Sequence, residues 1–164
     1  MHLYTLSLKT LFEKNADPAK AEPMKKYMRN QFEYLGIKSP QGAALLRDHI
    51  KEHGLPSLDK LDTILRELWS LPQREFQYVA MSLLEKFEKK VDEGFITTIE
   101  YLITTKSWWD TVDLLAGHAV GSLFQRFPKV KEKYLKKWRK SDNFWLRRTT
   151  LLFQLGYKTE TRCV

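Results

Sequence analysis

Apolar residues recur at spacings of three and four along almost all of this 164-residue chain, and that periodicity restricts it to helix. In "LDKLDTILRELW" the side chains of Leu58, Leu61, Leu65 and Leu68 fall on one face. "FQYVAMSLLEKF" repeats the pattern with Phe76, Val79, Ala80, Leu83, Leu84 and Phe87, and "FITTIEYLI" with Phe95, Ile99, Leu102 and Ile103. No long alternating stretch suggests a strand. The prolines at 18, 23, 40, 56, 72 and 128 lie between periodic segments or near their starts, where a missing N–H is harmless. The spacing predicts helices over 3–14, 18–35, 40–53, 57–70, 73–90, 94–105, 108–126, 128–139 and 142–155. Asp17, Ser39 and Asp142 are the expected N-caps, and Gly36, Gly54 and Gly156 the expected stops. The fold class expected is all-α.

Three helix starts align at equal intervals. "LPQREFQYVAMSLL" begins near Pro72, "KSWWDTVDLLAG" near Ser107 and "SDNFWLRRTTLLF" near Asp142, each 35 residues from the last. A period in this range, built of helix pairs, implies an α-solenoid of HEAT-like repeats. Val79, Leu114 and Thr149 then correspond, as do Ala80, Leu115 and Thr150. Arg74, Trp109 and Phe144 also fall in register, and four residues on so do Tyr78, Asp113 and Arg148. On helix 108–126, Trp108, Val112, Leu115, Ala119 and Leu123 form the core stripe. Ala116, Gly117 and Val120 follow Asp113 on its own face, and the Gly117/Gly121 spacing suits close packing.

Composition narrows the function classes. At 43% hydrophobic the chain folds rather than staying disordered, and one domain over 1–164 is expected. A single cysteine, Cys163, permits neither a disulfide nor a thiolate metal site, which fits a reducing cytoplasm. His49 and His53 have i, i+4 spacing but no third ligand, so no metal is expected. No glycine-rich phosphate loop occurs, and no cofactor is expected. No apolar run is long enough for a membrane span, and the N-terminus lacks a signal-peptide pattern. The net charge of +8 favours a polyanionic partner. Ten basic residues lie between Arg126 and Arg148, Lys140 and Arg147 among them, opposed only by Glu132 and Asp142. Phosphate binding accounts for that cluster, and a solvated helix face is the alternative. Lys25, Lys26, Arg29 and Lys38 form a weaker second patch.

"TKSWWDTVDLL" carries the sharpest signal. Trp109 and Asp113 are four apart and share a helix face. The plain reading is a core tryptophan and a carboxylate paired with a lysine or arginine. The functional reading is a site for a cation, drawn by the indole face and by the carboxylate.

The stretches "AEPMKKYMRNQFEYLGIKSP", "LRELWSLPQREFQYVA", "TKSWWDTVD" and "SDNFWLRRTTLLFQLGYK" together resemble the AlkD group of bacterial DNA alkylation repair proteins, from near residue 1 to about Lys158. That resemblance implies a HEAT-like-repeat DNA glycosylase excising N3- and N7-alkylated purines from double-stranded DNA, as a monomer in the bacterial cytoplasm, with no membrane and no cofactor. It implies Asp113 as the catalytic carboxylate, Trp109 as its aromatic partner, and Arg148 and Tyr27 as DNA contacts. Arg74, Tyr78, Phe144, Arg147 and Lys140 complete the expected DNA-binding set. The family continues for another repeat or two with a further tryptophan, whereas this chain ends at "GYKTETRCV", so a C-terminally shortened repeat domain is expected. The competing readings are a non-catalytic DNA-binding module and a protein-binding helical scaffold.

Overall fold

The structure is a computed structural model that describes residues 1–157. It divides into two compact units, Met1–Leu83 and Leu84–Val164. Cys163 lies outside the described residues. The fold is all-α, and among the described residues the one β feature is an isolated parallel bridge between Glu33 and Gln73.

The first unit holds α1 (Leu3–Lys14), α2 (Pro18–Tyr27), α3 (Ser39–His53), α4 (Leu58–Ser70) and the start of α5 (Arg74–Glu85). On α4, Leu61, Ile64, Leu65, Leu68 and Trp69 are all buried, which is the apolar face the spacing requires. Each such leucine or isoleucine contributes roughly 1.5–3 kcal/mol on leaving water. Leu8 and Phe12 of α1 join this core. Asp17 caps α2, its carboxylate accepting from the Ala19 N–H at 3.1 Å, and Gly54 closes α3 at φ 77°.

Several expected boundaries differ. The α2 helix ends at Tyr27 rather than 35, because Arg29 and Asn30 take left-handed backbone angles, φ 54° and 57°. Residues 28–38 instead form a loop pinned by Glu75. Its Oε1 accepts from the N–H groups of Leu35, Gly36 and Ile37 at 3.0, 2.9 and 3.2 Å, and Oε2 accepts from Leu35 at 3.0 Å. Gly36 is therefore no helix stop. It sits at φ 90°, where a Cβ would fall 2.0 Å from the Asp17 carbonyl oxygen, so glycine alone fits. Ser39 opens α3 as its first helical residue, and the capping position belongs to Lys38.

The second unit holds a short 3₁₀ turn (Glu93–Phe95), α6 (Ile96–Thr104), α7 (Trp109–Leu115), a π turn (Ala116–Val120), α8 (Gly121–Arg126), α9 (Pro128–Arg139) and α10 (Phe144–Leu152). The expected stripe is in place: Val112, Leu115, Ala119 and Leu123 are buried, and Trp108 is half-buried against Trp145, ring centroids 6.0 Å apart. Leu114 breaks the repeat pattern, since it is exposed where its counterparts Val79 and Thr149 are buried. The 108–126 segment is interrupted by the π turn. There the chain after α10 comes very close: a Cβ on Gly121 would lie 2.7 Å from the Phe153 carbonyl oxygen, and one on Gly156 would lie 2.7 Å from that of Gly117. The small residues thus serve close packing. Asn143, not Asp142, caps α10, its Oδ1 accepting from Trp145 and Leu146 N–H at 2.9 and 3.2 Å. The three repeat helices start at Arg74, Trp109 and Phe144, again 35 residues apart.

Candidate active site on the second repeat helices

Trp109 is the first residue of α7 and Asp113 sits one turn later, so the two share a face. Trp109 is 44% exposed, and this excludes the core tryptophan of the plain reading. The carboxylate, however, has its cation within the chain. Arg148 of α10 donates through Nε to Asp113 Oδ1 at 2.7 Å and through Nη2 to Oδ2 at 2.8 Å. This is a side-on, two-point pair, the geometry that guanidinium and carboxylate planes share. Both side chains remain about one-third exposed, at 35% for Asp113 and 36% for Arg148. The hydrogen bonds that Arg148 donates to Asp113 push its guanidinium up from its ordinary value; burial opposes this, and the Coulomb attraction of Asp113 adds to it. The sequence register held the signal for this pair, since Asp113 and Arg148 occupy equivalent positions one repeat apart.

The helix carrying Arg148 is firmly set. Leu146, Thr149 and Thr150 are buried on either side of it, and the two threonine hydroxyls donate to the carbonyls of Trp145 and Arg147 at 2.8 and 2.7 Å. At its start Phe144 is 55% exposed and packs edge-on against Trp145, centroids 5.1 Å apart. The second unit therefore presents two exposed aromatic rings, Trp109 and Phe144, at the openings of the two helices that carry the ion pair. Arg147 is exposed and donates to the Ser141 carbonyl at 2.6 Å, and Lys140 is exposed.

On α9 the exposed residues include Lys129, Lys133, Lys136, Lys137 and Arg139, with exposed Lys140 just after its end, while Leu135 and Trp138 are buried. One member of this basic face is already engaged, because Lys137 donates to Glu100 of α6 at 2.8 and 3.0 Å. Trp138 donates its indole N–H to the same carboxylate. Sequence reading missed Glu100 because nothing local to it signals a partner 37 residues away.

In the first unit, Tyr27 is 75% exposed at the end of α2. Tyr78 is half-buried, its hydroxyl 3.0 Å from that of Tyr34. Arg74 corrects an expectation. It was expected to contact DNA, yet it is fully buried, its guanidinium carbon 3.7 Å from the centre of the Phe32 ring. A charge stacked on an aromatic face and closed off from water has nothing to offer a phosphate.

Among the described residues no group of three or more His, Cys, Asp or Glu side chains is placed to hold a metal ion, and no helix is long and apolar enough to cross a membrane. The arrangement that remains is an exposed indole and a carboxylate fixed by Arg148, on a unit that also carries exposed lysines and arginines. It can meet a positively charged or electron-poor centre attached to a polyanion.

No curated protein matches the chain. Among solved structures, a predicted DNA alkylation repair enzyme from Enterococcus faecalis is similar at a TM-score of 0.78 and 29% identity, over 90% of this chain and 68% of that one. The family model of the DNA alkylation repair enzymes matches residues 8–163, nearly the whole sequence, and the chain belongs to that family.

Proposed function

We propose that this protein is a DNA glycosylase that hydrolyses the N-glycosidic bond of positively charged N3- or N7-alkylated purines in duplex DNA. The observation that carries this reading is the exposed Trp109 beside an Asp113 carboxylate held in a fixed orientation.

Alkylation at N7 of guanine or N3 of adenine leaves the base cationic. When its bond to C1′ breaks, the electron pair goes to the base, which departs as a neutral purine. Positive charge then builds on the deoxyribose ring, and a carboxylate already oriented stabilises it without reorganisation. Asp113 takes that role and also orients the water whose oxygen bonds to C1′; the water proton passes to the carboxylate or to solvent. Trp109 lies against the sugar and adds cation–π attraction of roughly 0.5–2 kcal/mol. A cationic leaving group needs little acid catalysis, so a site without a general acid suffices. Phe144, Arg147 and Lys140 of the second unit are proposed to contact the strand, as are Tyr27 and Tyr78 of the first. The basic residues supply the salt-dependent part of binding.

Release of free 7-methylguanine from methylated duplex tests the reading. The parent is expected to release it, and Asp113→Asn to lose that release while still binding DNA. Excision by the variant at the parent rate would remove Asp113 from the chemistry. The ion pair also supports a second reading, a DNA-binding module in which Asp113 and Arg148 only join two helices. That reading expects duplex binding, no base release, and an Asp113→Asn variant with a lowered melting temperature.

A further inference from the structure

The family resemblance sends Arg148 to the DNA. Its position in the fold points elsewhere. Two of its five N–H groups are spent on Asp113, and among the described residues the structure gives Arg148 no other partner. The pair is set by well-packed parts: the Asn143 cap and the buried Leu146, Thr149 and Thr150 hold α10, buried Val112 and Leu115 hold α7, and the chain after α10 packs closely on Gly117 and Gly121 just beyond α7.

Consider what happens if Arg148 leaves for a phosphate. The half-buried carboxylate would lose both its hydrogen bonds and would face the polyanion as a bare like charge. If Arg148 stays, the carboxylate keeps its outer lone pairs for the sugar, and the three unused N–H groups of the guanidinium still point outward from the pair.

Resting on the glycosylase reading above, we propose that Arg148 stays bound to Asp113 in the DNA complex and serves as the positioning residue for that carboxylate. It holds the Asp113 carboxylate side-on, so the oxygens meet C1′ and its attacking water in one orientation. Binding to the strand then rests on other cations, such as Arg147 and Lys140. Lysine cannot replace Arg148, because an ammonium lacks the planar two-point fork.

The test has two arms on the full chain. In the first, the ¹⁵N-labelled Arg148 Nε–H signal is assigned by its loss in Arg148→Lys and its unpaired position is read from Asp113→Asn. Unmodified duplex is then added to the parent. The signal is expected to keep its paired position; movement to the Asp113→Asn position overturns the proposal. In the second arm, single-turnover excision and duplex affinity are measured for Arg148→Ala and Arg148→Lys. A misplaced catalytic group loses rate on the order of 100-fold. Both variants are expected to show a loss of that size while affinity changes less than about threefold, and added guanidinium ion is expected to restore rate to Arg148→Ala but not to Asp113→Asn. A tenfold or larger loss of affinity with an unchanged rate would mark Arg148 as a phosphate ligand and end the proposal. A parent that binds duplex but releases no base sinks the glycosylase reading, and with it the catalytic role assigned to Arg148, while the labelled-arginine arm still decides whether the pair survives DNA binding.

Discussion

Glu75 offers a sharp test of how the loop between α2 and α3 is held. Its carboxylate is 2% exposed and takes the N–H groups of three consecutive residues, 35 to 37. A hydrogen bond to a charged group contributes about 1.5–3 kcal/mol net, against about 0.5–1.5 for a neutral one. Glu75→Gln keeps one oxygen in place of Oε1 and turns three charged bonds into neutral ones. Its amide NH₂ also meets the Leu35 N–H where Oε2 accepted. The expected loss is about 3 kcal/mol, reduced to about 2 by no longer burying a charge. Glu75→Ala leaves three buried donors unpaired and should lose more, about 4 kcal/mol after water enters. At about 3 °C per kcal/mol for a chain of this size, Glu75→Gln melts about 6 °C below the parent in thermal circular dichroism. Amide exchange gives the local readout: the N–H groups of Leu35, Gly36 and Ile37 should be protected in the parent and exchange faster in both variants. A Glu75→Gln protein that melts with the parent and protects those amides equally would refute the reasoning.

Three further outcomes are expected. The Ser7 hydroxyl lies 2.9 Å from the Tyr4 carbonyl oxygen and 2.7 Å from His49 Nε2, and among the described residues buried His49 Nδ1 has no hydrogen-bond partner. Burial, and then the neighbouring His53, hold His49 below its ordinary value, with Glu52 opposing; the folded state therefore binds this proton less readily than the unfolded one. The stabilising contribution is present above about pH 6.5 and falls away as pH drops from there to the depressed folded value, so melting at pH 5.5 against 7.5 should show a gap that narrows in His49→Gln. Trp109→Ala should leave the melting temperature within about 2 °C, because the ring is 44% exposed, yet lower excision by up to about 30-fold if cation–π contact is its role; an equal rate would remove the ring from the site. Gly121→Ala puts a Cβ 2.7 Å from the Phe153 carbonyl oxygen and 3.3 Å from the Tyr157 ring, so a loss of about 1–3 kcal/mol is expected in denaturant unfolding, and an unchanged midpoint would show that the contact relaxes freely.

How far the sequence could be read depended on whether burial and helix coincide. They do over 3–14 and 128–139, where the expected bounds match α1 and α9, Pro128 opening the latter. They part company after Tyr27. Tyr34, Leu35 and Ile37 are buried, so the apolar pattern runs on, but the chain there is a loop whose polar backbone groups are met by Glu75. Apolar spacing reports that a residue leaves water and says nothing of where its N–H goes. Arg74 misled in the opposite direction. A charged residue at a helix start reads as surface, whereas this guanidinium is buried and stacked on the Phe32 ring.

The repeat accounts for the part of the site that local spacing left ambiguous. Within α7, the four-residue step from Trp109 to Asp113 sets a shared face but does not name the cation that the face attracts. The 35-residue period does, because equivalent positions on adjacent repeat helices meet where those helices pack. Asp113 and Arg148 occupy the same register, α7 packs against α10, and the two-point pair follows from stacking alone. The same register puts Trp109 and Phe144 at the exposed helix openings, one turn before the pair. An ion pair built this way is neutral overall, so it cannot draw a cationic lesion by net charge. What it offers is direction: one carboxylate fixed beside an exposed indole, on a chain whose surplus of lysine and arginine favours a polyanionic partner. On the glycosylase reading proposed above, attraction and chemistry fall to different residues, and mutations of the two kinds should separate, the first in salt dependence and the second in rate.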